Sequence, residues 1–308
     1  MEDIQIAFTA ADVKALREIT GCGMMDCKKA LTETNGDKDK AIEFLREKGL
    51  ATAEKKSGRI AADGVVYADV INGVGVLLEV NSETDFVAKN ADFQQFVSDV
   101  ATQIRTTAPA SVDALLNEKF VNGDETISAM LVNKIATIGE NITVRRFDRY
   151  EGIVETYIHG GGKIGVMVAF TLSDAAKADT AEFKEFAHDI AMQIAAANPQ
   201  YLDRASIPAE VVAKETEILT AQAMNEGKPQ NIAEKMVAGR INKYFKEICL
   251  VDQPFVKDGD MTVTAYAKSV SDKIGAEIKI EKFARFAKGE GIEKKEDNFA
   301  EEIANMVK

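Results

Sequence analysis

The sequence has no tryptophan, only two histidines, three cysteines and five prolines, and the scarcities narrow the chemistry open to it. His159 and His188 lie in stretches that read as different elements, so neither a histidine-based triad nor a histidine-rich metal site is supported. Cys22, Cys27 and Cys249 form an odd set without a C-x-x-C pair. That fits reduced structural thiols better than disulfides or a zinc site. No G-x-x-x-x-G-K-[ST] motif occurs, which argues against a P-loop nucleotide hydrolase. No apolar run reaches the ~20 residues that cross a bilayer, and no basic-plus-apolar leader opens the chain, so the expectation is an intact cytoplasmic protein with no membrane role. Positive charge is also in deficit. Lysine and arginine number 38 against 50 aspartates and glutamates, a net charge of −12, so nucleic acid is not an expected partner.

What is present is ordinary soluble protein: 308 residues, 46% hydrophobic and 29% charged, enough for about two domains with cores of their own. One motif misleads. Gly160, Gly162 and Gly165 in HGGGKIG satisfy G-x-G-x-x-G, but a dinucleotide site needs a helix after the third glycine. Here GIVETYIH precedes and VMVAFTL follows, both strand patterns, so these glycines are expected to turn a hairpin.

The first stretches DVKALREI, MMDCKKALTE and KDKAIEFLREKG space their apolar residues as helices, broken by TGCG and TNGD. They predict a small three-helix module on a short tether, ATAEKKSGR, serving either to dock on a partner or as a stabilising appendage. Beyond it the chain repeats itself. FQQFVSDVATQIRTTAP from Phe93 matches FKEFAHDIAMQIAAANP from Phe183, and GVLLEV from Gly75 matches GVMVAF from Gly165, both at an offset of 90. GVVYADVI matches GIVETYIH two positions tighter, and IGENITVRRFDRY from Ile138 matches IGAEIKIEKFARF from Ile274 at an offset of 136. The pattern predicts two copies of one α+β unit, each a hairpin, helices and a closing strand.

The 46-residue difference between the offsets predicts an insertion in the second copy, between Leu202 and Leu250. EVVAKETEILTAQAM and QNIAEKMVAGRINKYFKEI read as helices around the turn NEGKPQ, a protruding antiparallel hairpin. Ile218, Leu219, Ala223 and Met224 are expected to face Ile232, Met236, Ile241 and Phe245. Such an arm serves partner contact or remains purely structural, and self-association through it stays open. The chain closes with KKEDNFAEEIANMVK, where Phe299, Ile303 and Val307 form a helical stripe.

The repeat acts as an internal control on the segment NSETDFVAKN at 81–90. The flanking scaffold recurs, yet Glu83, Thr84, Asp85 and Phe86 correspond to Ser173, Asp174, Ala175 and Ala176. A phenylalanine needed to complete the unit would have a large counterpart at Ala176. The structural alternatives are that Ser82 caps a helix carrying Asp85 in its first turn, and that Phe86 fills a gap unique to one copy. A divalent-cation enzyme built on Glu83, Asp85 and Asp92 is the alternative from a different functional class. Gly139 has Gly275 as its counterpart, which fits a turn role, and His159 sits beside the glycine turn.

TGCGMMDCKKALTETNGD, AADGV, EVNSETDFVAKN, IGENI, HGGGKIGV, GKPQNIAEKMVAGR and GEGIEK, in that order along the chain, closely resemble the elongation factor Ts family of bacteria and organelles. The resemblance implies a guanine-nucleotide exchange factor without covalent chemistry or a cofactor of its own. Its partner would be elongation factor Tu, GDP-bound and nucleotide-free, and a non-exchanging adaptor is the alternative. It implies a ubiquitin-associated-like module with its linker over 1–57 and a first core subdomain over 58–144. A second subdomain would occupy 145–201 and 251–287 around a coiled-coil hairpin at 202–250, with a C-terminal helical module at 288–308. It further implies that Thr84, Asp85, Phe86 and Val87 enter the partner's G domain and disturb its magnesium site, and that Met24, Met25, Ile138, Gly139 and His159 are further contacts.

Overall fold

The computed structural model describes residues 8–227 and 230–293. The expected terminal helix, with Phe299, Ile303 and Val307, lies outside the described residues. The architecture is mixed, helices with small antiparallel sheets. By its contacts the chain divides into two compact units. The first draws on the described parts of Met1–Val65, Leu78–Phe147 and Lys288–Lys308, the second on Val66–Leu77 and Asp148–Ala287. No helix among the described residues is long and apolar enough to cross a membrane.

The first unit opens with α1 (Ala10–Thr20), α2 (Met24–Glu33) and α3 (Lys38–Lys56). A reciprocal Thr9–Asp12 capping box starts α1, Gly21 at φ 67° ends it, and Asp37 caps α3; these side chains satisfy N–H groups that a helix start leaves open. Val13, Leu16, Cys27, Ala30, Leu31, Ala41 and Leu45 form the buried seam. Burial pushes the Cys27 thiol up, consistent with a structural cysteine. The expected tether is not extended. Residues 51–56 complete α3, because ATAEKK holds good helix formers and no breaker. A side chain at Gly49 would lie 3.6 Å from both Val132 and Ala136, so a small residue there lets α3 run close to a later helix.

The unit also holds the single turn α4 (Asp85–Ala88), α5 (Ala91–Thr107), α6 (Val112–Asn117) and α7 (Ile127–Ile138), whereas β1 (Asp63–Ile71), β2 (Val74–Ser82) and β3 (Ile142–Glu151) are divided between the two units, Val66–Leu77 and the residues from Asp148 on counting with the second. These three strands form a sheet of order β1-β2-β3, and the helix approached at Gly49 is α7.

The second unit holds β4 (Ile153–His159), β5 (Ile164–Leu172), α8 (Ala181–Ala197), α9 (Ala209–Asn225), α10 (Gln230–Ile248), the short β6 (Pro254–Phe255) and β7 (Asp258–Thr262), α11 (Val263–Ile274) and β8 (Ile278–Ala287). β5 pairs antiparallel with β4 and β8. It is buried on both faces and so reads as an unbroken apolar run. Val166, Val168, Phe170 and Leu172 join the core formed with α8 and α11, whereas Met167 and Ala169 pack with Val66, Leu77, Tyr150, Ala284 and Phe286.

The repeated sequence recurs as repeated elements. α5 and α8 are each 17 residues long and end on left-handed residues, Ala108 and Asn198. α7 and α11 are each 12 residues long, with threonine N-caps and glycine ends. Even the buried amides agree. Gln103 accepts from the Val121 N–H (2.9 Å) and donates to the Lys119 carbonyl (3.3 Å); Gln193 does the same with Val256 (2.7 Å) and Pro254 (3.2 Å). Asp189 departs from its counterpart Asp99: it is nearly buried and holds Lys257 and Tyr266.

The glycines of HGGGKIG have two jobs. Gly160, Gly161 and Gly162 have positive φ and form the turn joining β4 to β5. Gly165 instead lies inside β5, where a Cβ would stand 2.5 Å from Val66 and 2.8 Å from Leu77. Gly75 in β2 is equally crowded, with Val154 at 2.6 Å. The matched glycines permit close approach of strands, a reason the sequence pattern alone did not supply.

α9 and α10 pack together through Leu219 and Ala223 against Ala233 and Val237, with Ile241 beside them. The seam expected from sequence is thus displaced. Ile218, Met224 and Ile232 are exposed, and Phe245 joins the base cluster with Ile207, Ile248 and Cys249. Ala223 and Ala233 draw the helices close and turn the larger neighbours outward, a packing preference that apolar spacing does not specify.

Candidate partner-binding surface

β2 ends in a run of buried polar residues, Glu79, Asn81 and Ser82. The Glu79 carboxylate receives Arg145 (3.0 Å), Arg146 (2.6 Å), the Asn81 amide (3.1 Å) and the Gly289 N–H (2.8 Å). Burial alone would raise its pKa, but the Gly289 N–H and the Arg146 and Asn81 donors outweigh it, leaving the carboxyl below its ordinary range. Asn81 also donates to the Asp63 carbonyl at 2.9 Å. The strand end is therefore anchored before the chain turns outward.

The turn itself is held by two carboxylates working in opposite directions. Glu83 accepts the Asn141 N–H at 2.6 Å and lies 3.4 Å from Arg59. Glu140 accepts the Thr84 N–H at 3.0 Å and the Thr84 hydroxyl at 2.6 Å. Asn141 donates to the Arg59 carbonyl at 2.7 Å, and Lys56 donates to the carbonyl of Gly139. Thr84–Val87 and Ile138–Gly139, named separately from sequence, are thus brought together by bonds between residues 83–84 and 140–141.

On this frame Val87 is buried and Phe86 is 79% exposed. Asp85 faces solvent, 3.8 Å from Lys89. Phe86 fills no internal gap, contrary to one structural alternative. Nor does Ser82 cap a helix: its hydroxyl donates to the Thr84 carbonyl at 2.9 Å, and Thr84 is the N-cap without a side-chain cap bond. In the second copy the same strand end is closed by Ser173 and Glu277, whose bonds are 3.0 and 2.9 Å, and runs into the 3-10 turn Ala175–Asp179 with Ala176 exposed. The scaffold is shared and the projecting ring is not.

Met24 (45% exposed) and Met25 (74%) begin α2, with Ile19 (62%) near the end of α1, so the corner between α1 and α2 presents apolar surface. Ile19 was missed by the sequence reading. Glu140 was missed too, although the same internal comparison contains it: its counterpart is Ala276. His159 belongs to the second unit, exposed at the end of β4, with its Nδ1 3.0 Å from the Tyr157 hydroxyl. Glu83, Asp85 and Asp92 do not come together as a cation site, and among the described residues no group of three or more His, Cys, Asp or Glu is placed to hold a metal.

Residues 83–290 match the family model described as Elongation factor TS. A protein of Clostridium kluyveri named Elongation factor Ts is 52% identical over 305 residues, covering 97% of this chain and 98% of its own length. A Clostridium perfringens protein of the same name is 53% identical over 303 residues, covering 97% and 98%. One from Clostridium tetani is 51% identical over 305 residues, covering 97% and 99%.

Proposed function

The chain belongs to the elongation factor Ts family, and on that premise we propose that it releases GDP from elongation factor Tu by inserting the Phe86 turn into the partner's nucleotide-binding domain during translation elongation. The observation that carries this reading is a large aromatic ring, 79% exposed, on a turn bonded firmly to its own unit. The ring contributes nothing to the core and the second copy of the unit does without one, having Ala176 at the matching place, which supports reading it as an anchor for a partner.

A GTPase holds GDP through backbone amides and a lysine around the phosphates, with Mg²⁺ neutralising their charge. Phe86 acts as an apolar wedge that shifts the backbone supporting the metal. Asp85, beside it, adds hydrogen bonds or repulsion near that site and need not ligate the ion. Thr84 and Val87 set the direction of the turn. By linkage, the factor by which this chain weakens GDP binding is the factor by which GDP weakens its own binding. It therefore accelerates exchange in both directions and does not choose the nucleotide.

In the same reading α1–α3 are a ubiquitin-associated-like docking module that uses Met24 and Met25, with Ile138, Gly139 and His159 as further contacts. The helical pair α9–α10 is a coiled-coil arm whose Ile218, Met224 and Ile232 face outward, toward a partner or a second copy. The test is release of a fluorescent GDP from purified elongation factor Tu in excess GTP. The chain should accelerate release strongly and Phe86→Ala should lose most of that acceleration. Binding without acceleration would favour a non-exchanging adaptor, and a wild-type rate from the alanine variant would remove Phe86 from the mechanism.

A further inference from the structure

We infer that Glu140 is a positioning residue for exchange, its carboxylate fixing Thr84 and through it the direction in which Phe86 projects. The inference rests on the reading of Phe86 as the inserted group.

Four observations converge on it. First, α4 is only four residues long, so it has almost no helical cooperativity with which to hold its own shape. Second, Phe86 is so exposed that its ring gains little orientation from its own unit. Direction must come from the backbone on either side, where Val87 is buried and Thr84 makes two bonds to one carboxylate, 3.0 Å from its N–H and 2.6 Å from its hydroxyl. Third, Glu140 is itself held. It follows Gly139, whose carbonyl receives Lys56, and it precedes Asn141, whose N–H is bound by Glu83 at 2.6 Å. Fourth, the Thr84–Glu140 pairing is private to the copy that carries the ring. At the position matching Glu140, Ala276 has no carboxylate to offer, whereas the neighbouring Glu83–Asn141 pair does have its counterpart in Ser173 and Glu277. The latch and the ring occur together and are absent together.

The physical role is preorganisation. A turn that samples several directions binds with an affinity reduced by the fraction of time spent in the competent one. Charge-assisted bonds to a partly buried N–H and hydroxyl are strong enough that losing both lowers that fraction by about tenfold. Glu140→Gln should retain most of the effect, because its amide oxygen accepts the Thr84 N–H while its NH₂ donates to the hydroxyl. Thr84→Val removes the hydroxyl bond alone and should fall between.

The experiment is a double-mutant cycle on the full-length chain, with the dissociation constant for nucleotide-free elongation factor Tu as the readout. That readout stays measurable in Phe86→Ala through the remaining contacts. Glu140→Ala is expected to weaken binding about tenfold when Phe86 is present and scarcely at all in Phe86→Ala, with Glu140→Gln close to wild type. Thermal unfolding of each variant monitors the fold. An equal loss in both backgrounds would mean that Glu140 only supports the unit or touches the partner directly, and would overturn the inference. So would a wild-type constant for Glu140→Ala. If Phe86→Ala by itself binds and exchanges as wild type, the proposed function fails first, and the two failures are told apart.

Discussion

Replacing Glu79 with glutamine removes a charge from the most enclosed carboxylate of the first unit while keeping its shape. Glu79 is fully buried and takes donors from Arg145, Arg146, Asn81 and Gly289. Glutamine accepts through one oxygen and turns an NH₂ toward donors that have nothing to accept it. Breaking a buried ion pair by changing one partner costs about 3–5 kcal/mol. The side chains of Arg145 and Arg146 keep 26% and 32% exposure and regain water, which brings the expected loss down to about 2–3 kcal/mol at neutral pH. Urea unfolding of the full-length chain measures it.

The pH dependence gives an independent check. The folded carboxyl titrates below its ordinary range, so its stabilising effect is complete above the unfolded-state pKa of ~4.3 and is lost as pH falls toward the lower folded value. The gap between wild type and Glu79→Gln should therefore narrow on acidification through that window. A loss under ~1 kcal/mol at pH 7, or a gap that stays constant into acid, would refute this account of the network.

Two further outcomes follow from the packing. Gly165→Ala should destabilise by about 1–3 kcal/mol, because the added methyl meets Val66 and Leu77, whereas Gly239→Ala, exposed in α10 with nothing within 4 Å, should stabilise by up to ~1 kcal/mol; paired thermal melts read the opposite signs. Phe86→Ala should shift stability by no more than ~0.5 kcal/mol, since its ring is 79% exposed, and calorimetry that found a large destabilisation would give the ring a structural role.

Much of this protein was legible in its sequence. The offsets of 90 and 136 anticipated paired helices of equal length with matching ends, because cores built on the same spacing must repeat their large buried residues at the same places. The inserted helices and the oddity of Phe86 followed from where that repetition stops. What the tertiary structure decided was direction and proximity. Apolar periodicity marks a stripe but not its rotation, so the α9–α10 seam settled on Leu219, Ala223, Ala233 and Val237 instead of the bulkier neighbours. A run without breakers says helix but not against what, so the expected tether became the end of α3, near α7. The latch between Thr84 and Glu140 joins residues 56 positions apart; no local pattern encodes such a bond, because it exists only once the sheet and α7 have brought two loops together.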